Sequence, residues 1–232
     1  MKVVGAIQAR MGSSRLPGKA MLPLAGKPLI WHMMDRLRRV AGLDALVLAT
    51  TADPQNDALC AFAAAEGFLV IREPLEDDLA SRFARVVERT GADAVLKTGA
   101  DCAAIDPVVL TAMKDRFVAE RDADFVSNRV RWTFPLGLSA DVVSARAIRW
   151  ANENFTLPED REFFAIRIRD NPDRFRVVSF ENDVDLSKHS WLVDTPEDYA
   201  WISPMFDALY KEGSSFGMRD ALSWLASGAR KS

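Results

Sequence analysis

Short apolar runs alternate with amphipathic stretches over the first half of the chain, and this alternation restricts the fold more than any other feature. Residues 2–7 (KVVGAI), 45–50 (ALVLAT), 68–71 (FLVI), 92–97 (ADAVLK) and 124–127 (DFVS) read as strands. Between them, helices are expected over 28–40 with Pro28 in the first turn, from Asp53–Pro54 to about Glu66 before Gly67, over about 77–90, and from Asp106–Pro107 to about Glu120. Strands and helices in this order argue for an α/β domain with a mostly parallel sheet. Such sheets bind ligands beyond the carboxyl ends of their strands, where the loop 8–19 and Asp101 are expected. From about residue 130 the alternation breaks. RWTFPLGLSADVVS reads as an excursion with strand character, followed by a polar helix over about 159–170 and the strand RFRVVSF. The chain then returns with WLVDTPEDYAWISPMF, a short strand and an amphipathic helix. Trp132, Phe134, Phe163 and Phe164 fall outside the core pattern, so the excursion at about 130–180 is expected to form a dimer arm.

Composition narrows the class. A chain of 232 residues with 49% hydrophobic and 27% charged residues suits a single domain and excludes disorder as its main state. No apolar run approaches the roughly 18 residues of a membrane span, and the start turns polar too soon for a signal peptide. No membrane contact is expected. Cys60 and Cys102 cannot make a disulfide framework and suit a reducing cytoplasm. A net charge of −3 argues against a nucleic-acid partner.

The charge is uneven, because residues 1–40 carry eight basic side chains against Asp35 alone. Arg36, Arg38 and Arg39 read as a solvated helix face. Arg10, Arg15 and Lys19 lie in the loop QARMGSSRLPGK, where three cations within ten residues suit a compact polyphosphate. Gly12, Ser13 and Ser14 let backbone N–H groups approach an anion, and Pro17–Gly18 set a sharp turn. The loop is not a Walker A motif, since GxxxxGK[ST] is missing. A basic surface loop is the alternative.

The segment IQARMGSSRLPGKAMLPLAGKPLI resembles the cytidylyltransferases that activate acidic sugars, the 3-deoxy-manno-octulosonate and acylneuraminate enzymes. The pattern is nearest to their spore-coat polysaccharide branch. Five further stretches agree in order: LVLATTADPQNDAL, EDDLASRF, GADCAAIDP, PLGLSADVV and WLVDTPEDY. The resemblance covers about residues 1–205. It implies a Rossmann-like nucleotide-diphospho-sugar transferase fold with a mixed, mostly parallel sheet, helices on both faces and a homodimer arm. It also implies Mg²⁺ as cofactor, CTP as donor and a small anionic acceptor. On this resemblance Ala9, Arg10, Met11, Gly12, Ser13, Ser14, Arg15, Lys19, Asp78 and Arg82 face the nucleotide, with Arg10, Arg15 and Lys19 acting on the phosphates. Asp101 and Asp194 fall on the metal positions. By residue type alone, Asp101 reads as a turn or cap residue, Asp194 sooner as the N-cap before Thr195–Pro196 than as a ligand, and Asp77–Asp78 equally as a helix start. Asp141, Arg161 and Glu162 are expected at the acceptor end.

Four departures from the family pattern stand out. Gly99 replaces a polar side chain two residues before Asp101, Ala103–Ala104 follow Cys102, Ser139 replaces an acid, and Phe163 follows Arg161–Glu162 where a His is common. The phosphate and metal end is thus kept while the acceptor end is altered. Lys97 stands where relatives often carry Arg and reads as a structural partner or a phosphate ligand. Cys102 and His32 read as packed residues. Transfer of CMP from CTP to an acidic sugar or similar polysaccharide precursor is the expected activity. A phosphorylated acceptor, or a non-catalytic nucleotide-binding subunit, are the alternatives.

Overall fold

The computed structural model describes residues 1–228. Its strands are β1 (Val3–Gln8), β2 (Pro23–Leu24), β3 (Lys27–Pro28), β4 (Ala45–Thr51), β5 (Leu69–Glu73), β6 (Ala94–Gly99), β7 (Phe125–Ser127), β8 (Asp141–Ser144) and β9 (Val177–Ser179). Its helices are α1 (Leu29–Arg38), α2 (Asp57–Ala65), α3 (Leu79–Thr90), α4 (Pro107–Ala119), α5 (Ala145–Asn154), α6 (Pro158–Glu162), α7 (Phe164–Arg169), α8 (Pro196–Leu209) and α9 (Met218–Ala226). No described helix is long and apolar enough to cross a membrane.

Seven strands form one mixed sheet in the order β5-β4-β1-β6-β8-β7-β9. β5, β4, β1 and β6 run parallel, β8 is antiparallel to both β6 and β7, and β9 is parallel to β7. Alternate residues of each strand enter opposite cores. Val3 and Ile7 join α1, α2, α4, α8 and α9 on one face, while Val4 and Ala6 join α3, α5 and α7 on the other. The expected α/β fold with helices on both faces is thus present.

Several local expectations shift. Pro28 precedes α1 in extended conformation (ψ 144°) and belongs to β3, so the helix starts at Leu29. The helix expected from Asp53 begins as a 3-10 turn at Pro54–Asn56. The polar helix at 159–170 is two short helices, broken at Phe163. WLV forms no strand; Leu136 and Ser190 make an isolated bridge there. The β2–β3 hairpin, α5 and α9 lie outside the expected elements.

Residues 130–180 do not stand apart as an arm. β8 inserts between β6 and β7, β9 closes the sheet edge, and α5 and α7 pack under it. Phe134 and Phe164 are buried in the two cores, while Trp132 and Phe163 stay partly exposed. Phe134 and Phe164 thus help close the second half of the sheet, whereas Trp132 and Phe163 do not.

Arg36 is not on a solvated face. It is 2% exposed, donates to the carbonyls of Ile105 (3.0 Å) and Phe216 (2.6 Å), and stacks on the Phe216 ring. Arg38 and Arg39 do pair at the surface, with Glu66 and Asp35. One turn earlier, His32 is buried against Phe206 and Tyr210, its Nε2–H donating to the Leu24 carbonyl at 2.6 Å. Burial lowers its pKa from 6.5 to about 4. The fold therefore favours the neutral ring, and this stability is complete above pH 6.5 and is lost as pH falls towards 4. Protonation of the unfolded chain should cost about 2 kcal/mol by pH 5. Urea unfolding between pH 7 and pH 5 should show this slope in the wild type and lose most of it in His32→Gln. An equal slope in both would contradict the assignment.

Candidate active site at the carboxyl edge of the sheet

The loop after β1 is folded back on itself. The Met11 carbonyl accepts from the N–H groups of Ser13 (2.9 Å) and Gly18 (3.0 Å). The Met11 N–H donates to Asn56 Oδ1 at 2.8 Å, and Asn56 in turn donates to Thr51 Oγ1 at 2.6 Å. This anchoring presents Ala9, Arg10, Ser13, Ser14, Arg15 and Lys19 to a cleft of about 370 Å³. Glu76, Asp77, Leu79, Arg82, Asp101 and Asp194 close its other sides. Met11 and Gly12, expected to face the nucleotide, do not line the cleft. The Met11 main chain is the anchor, and a Cβ on Gly12 would lie 3.0 Å from the Gln55 side chain.

Each loop cation faces an acid. Lys19 Nζ bonds Asp194 Oδ1 at 3.0 Å and the Val193 carbonyl at 3.2 Å, Arg15 pairs with Asp194 Oδ2, and Arg10 pairs with Glu76 and lies 3.8 Å from Asp77. Arg82 lines the wall, yet the residue is 1% exposed and its guanidinium donates to the carbonyls of Leu75 (3.0 Å) and Glu76 (2.7 Å). Burial, with Arg10 nearby, lowers its pKa to about 10. Arg82 therefore shapes the turn that carries Glu76.

Asp194 is not the cap of α8. Thr195 holds that position: its hydroxyl accepts from the Asp198 N–H at 3.2 Å, and Asp198 Oδ2 accepts from the N–H groups of Thr195 (2.9 Å) and Asp194 (3.0 Å). The Asp194 carboxylate is free of helix duty and turns to Lys19 and Arg15. The Val193 N–H donates to the Asp101 carbonyl at 2.8 Å, which brings segment 193–194 beside Asp101. A Cβ on Gly99 would lie 2.5 Å from Asp101 Oδ1. The glycine there thus makes room for the Asp101 carboxylate, beyond the loss of one ligand contact expected from sequence.

Asp101 and Asp194 could hold a divalent cation. Among the described residues no three His, Cys, Asp or Glu side chains gather into a ready-made metal cage. Two hard carboxylates beside a phosphate-suited loop fit Mg²⁺, which usually binds one or two carboxylates with substrate phosphates and water.

A second cleft of about 390 Å³ opens behind the same wall. Gln8, Leu79, Gly99, Asp101, Glu162 and Phe163 line both clefts. Lys97, Arg129, Trp132, Ser139 and Asp141 lie in the second alone. Asp141 is 1% exposed and accepts from Ser127 Oγ at 2.7 Å, from Arg129 Nε at 3.2 Å and from Arg129 Nη2. Burial would raise its pKa, but the positive charges of Arg129 and Lys97 prevail and hold it below the usual carboxylate value. Arg129 was not singled out from sequence. Its signal was a cation two residues past a strand, where β7 pairs Ser127 with Asp141.

Arg161, expected at the acceptor end, and Asp78, expected at the nucleotide, line neither cleft. Asp78 caps α3 by accepting from the Ser81 N–H at 2.9 Å. Arg161 Nε donates to Asp78 at 2.9 Å, and Nη1 to the carbonyls of Asn152 (2.8 Å) and Phe155 (2.9 Å). The pair is a strap tying α6 to the start of α3. Glu162, the next residue, does face the clefts.

Residues 4–155 match the family described as Cytidylyltransferase. The chain belongs to the cytidylyltransferase family. Spore coat polysaccharide biosynthesis protein SpsF of Bacillus subtilis (strain 168) is 30% identical to it over 208 residues, 86% of this chain and 84% of that protein. The 3-deoxy-manno-octulosonate cytidylyltransferase of Syntrophobacter fumaroxidans is 33% identical over 122 residues, 52% of this chain and 48% of that one. A solved cytidylyltransferase from Leptospira borgpetersenii superposes with a TM-score of 0.93 at 26% identity, covering 99% of this chain and 96% of the other. Nucleotidyl transfer from CTP is thus the activity of the family. Its match includes the loop cations, Asp101 and Asp141, whereas Glu162 and Asp194 lie beyond residue 155.

In this cytidylyltransferase the position of Asp194 depends on a backbone crossing. Gly137 has φ 91°, and a Cβ there would lie 2.4 Å from the Trp191 carbonyl carbon. The Trp191 N–H donates to the Leu136 carbonyl at 2.7 Å. Gly137→Ala should destabilise by about 3 kcal/mol or more, combining overpacking with positive-φ strain. Denaturant unfolding checks this; a change under about 1 kcal/mol would contradict such close packing.

Proposed function

We propose that this cytidylyltransferase transfers CMP from CTP to the hydroxyl of an acidic sugar or similar polysaccharide precursor, with Mg²⁺. The observation that carries the reading is the wall shared by the two clefts. A triphosphate held at Arg10, Arg15 and Lys19 and an acceptor in the Trp132–Phe163 cleft would meet at Gly99–Asp101. The names of the relatives support a sugar acid as acceptor, since the Syntrophobacter protein is a 3-deoxy-manno-octulosonate cytidylyltransferase.

In this reading the loop N–H groups and cations bind and orient the phosphates. The acceptor oxygen forms a bond to the α-phosphorus, the bond from that phosphorus to the bridging oxygen breaks, and pyrophosphate leaves with the electron pair. The hydroxyl proton passes to water at the open mouth of the clefts. Arg15 and Lys19 lie where they neutralise charge gathering on the leaving group. Asp101 and Asp194 would hold Mg²⁺, which when bound supplies further neutralisation of phosphate charge. Trp132 and Phe163 line the second cleft and would give apolar contact to the C–H surface of a sugar.

Pyrophosphate release from CTP with 3-deoxy-manno-octulosonate tests the reading. Lys19→Ala should lower kcat/KM by about 100-fold, the usual cost of removing one donor to developing phosphate charge. Asp194→Asn should lose at least as much while melting within a few degrees of wild type, because Thr195 caps α8. Turnover in Asp194→Asn within about 3-fold of wild type, which is under 1 kcal/mol of barrier, would contradict its role.

A further inference from the structure

The two carboxylates proposed for the metal differ in what holds them. Both oxygens of Asp194 are taken by cations, Oδ1 by Lys19 Nζ at 3.0 Å and Oδ2 by Arg15. Asp101 makes no ion pair with any described residue, and its Oδ1 accepts from Cys102 Sγ at 3.4 Å. The two cations on Asp194 also differ from each other. Lys19 opens the 3-10 turn Lys19–Met21, bonds the Val193 carbonyl at 3.2 Å as well, and has a side chain only 12% exposed. The Arg15 side chain is 66% exposed and has Asp194 as its one polar partner among the described residues.

A divalent cation that approaches Asp194 alone meets two positive side chains already in its place. Displacing Lys19 would leave an ammonium without its carboxylate at a mostly buried position, the costly way to break such a pair. Mg²⁺ also dehydrates reluctantly, so a neutralised carboxylate gives it little in return. A triphosphate removes the obstacle. Its oxygens are anionic acceptors like those of a carboxylate, and they can take over Lys19 and Arg15 in charge-assisted hydrogen bonds. The Asp194 backbone need not move in this exchange, because its N–H donates to Asp198 Oδ2 at 3.0 Å and the Val193 N–H donates to the Asp101 carbonyl at 2.8 Å. Only the partners of the side chain change.

We infer that Lys19 and Arg15 latch Asp194 in the free protein, so that the metal site is closed to a divalent cation until a triphosphate draws the two cations away. This rests on the reading of Asp101 and Asp194 as the metal ligands. It gives the loop cations a second task besides holding phosphates, and it makes Lys19, the less exposed and doubly bonded of the two, the stronger half of the latch.

Calorimetric titration of CTP into wild type, Asp194→Asn and Asp101→Asn, first in EDTA and then in Mg²⁺, tests both levels without any acceptor. In EDTA the wild type should bind CTP, and Asp194→Asn, with its two cations freed, should bind it at least about 5-fold more tightly, the lower end of coupling between linked sites. Asp101→Asn removes the same charge but no latch, and should stay within about 2-fold of wild type in EDTA. In Mg²⁺ the order reverses, and both variants should bind CTP at least about 10-fold more weakly than wild type. No gain in Asp194→Asn, an equal gain in Asp101→Asn, or no binding of CTP in EDTA overturns the inference. Equal affinity of all three proteins for CTP in Mg²⁺ overturns the reading beneath it. Mn²⁺ binding to the nucleotide-free protein, read by electron paramagnetic resonance of the free ion, measures the latch directly. Lys19→Met and Arg15→Gln should each bind Mn²⁺ at least about 5-fold more tightly than wild type, Lys19→Met the more so, and adding Asp194→Asn should abolish the gain. Wild type that binds Mn²⁺ as tightly as both variants contradicts the latch, and Arg15→Gln, changed at an exposed side chain, decides the matter should Lys19→Met melt early.

Discussion

One backbone hydrogen bond holds the site together. The Val193 N–H donates to the Asp101 carbonyl at 2.8 Å and joins the tip of β6 to a segment that returns after the whole second half of the sheet. Without it, Asp101 and Asp194 would belong to unrelated loops. The neighbouring contacts serve the same end. Trp191, fully buried, bonds Leu136 and crosses Gly137 at a distance that excludes any side chain, and Thr195 with Asp198 caps the helix that follows. Together they fix the direction in which Asp194 leaves the backbone.

Charge is then distributed around this joint. The loop cations are matched by Asp194, Glu76 and Asp77, so three positive side chains can stand within one small cleft. The pairs made by Arg10 with Glu76 and Asp77 are exposed and contribute little stability, whereas Lys19 and Asp194 are mostly buried. Their value lies in being exchangeable, because a polyphosphate presents the same kind of oxygen that the acids now present. The deeper Arg129–Asp141 pair is of another type. It is buried and reinforced by Ser127, so removing either partner would strand a charge. It shapes the wall of the second cleft.

The strand–helix rhythm of residues 1–127 was legible because most strands there are short apolar runs and the helices between them carry start and stop signals of their own. The segment 130–180 was not, since β8 enters antiparallel between β6 and β7, a placement that local periodicity does not encode. Arg36 shows the same limit. On its own helix it looks solvated, and it is the distant Ile105 and Phe216 that bury it. The loop cations could be picked out because three of them cluster in one short motif, whereas Asp101 and Asp194 came from the family resemblance, since by residue type alone they read as turn and cap residues. Arg161 and Asp78 share such motifs, yet their charges are spent on each other and on helix ends. Gly99 read as a missing ligand; its function as space for the Asp101 carboxylate depends on how that side chain folds back.

On the proposed function, two adjoining clefts bring a CTP α-phosphate to the hydroxyl of an acidic sugar. Phosphorus-31 NMR of the wild-type protein with CTP, Mg²⁺ and 3-deoxy-manno-octulosonate observes this directly. The account requires a new phosphodiester resonance growing in step with pyrophosphate, and neither signal when the sugar acid is left out. Pyrophosphate and free CMP without a phosphodiester, or a product formed only when glucose 1-phosphate replaces the sugar acid, would contradict it.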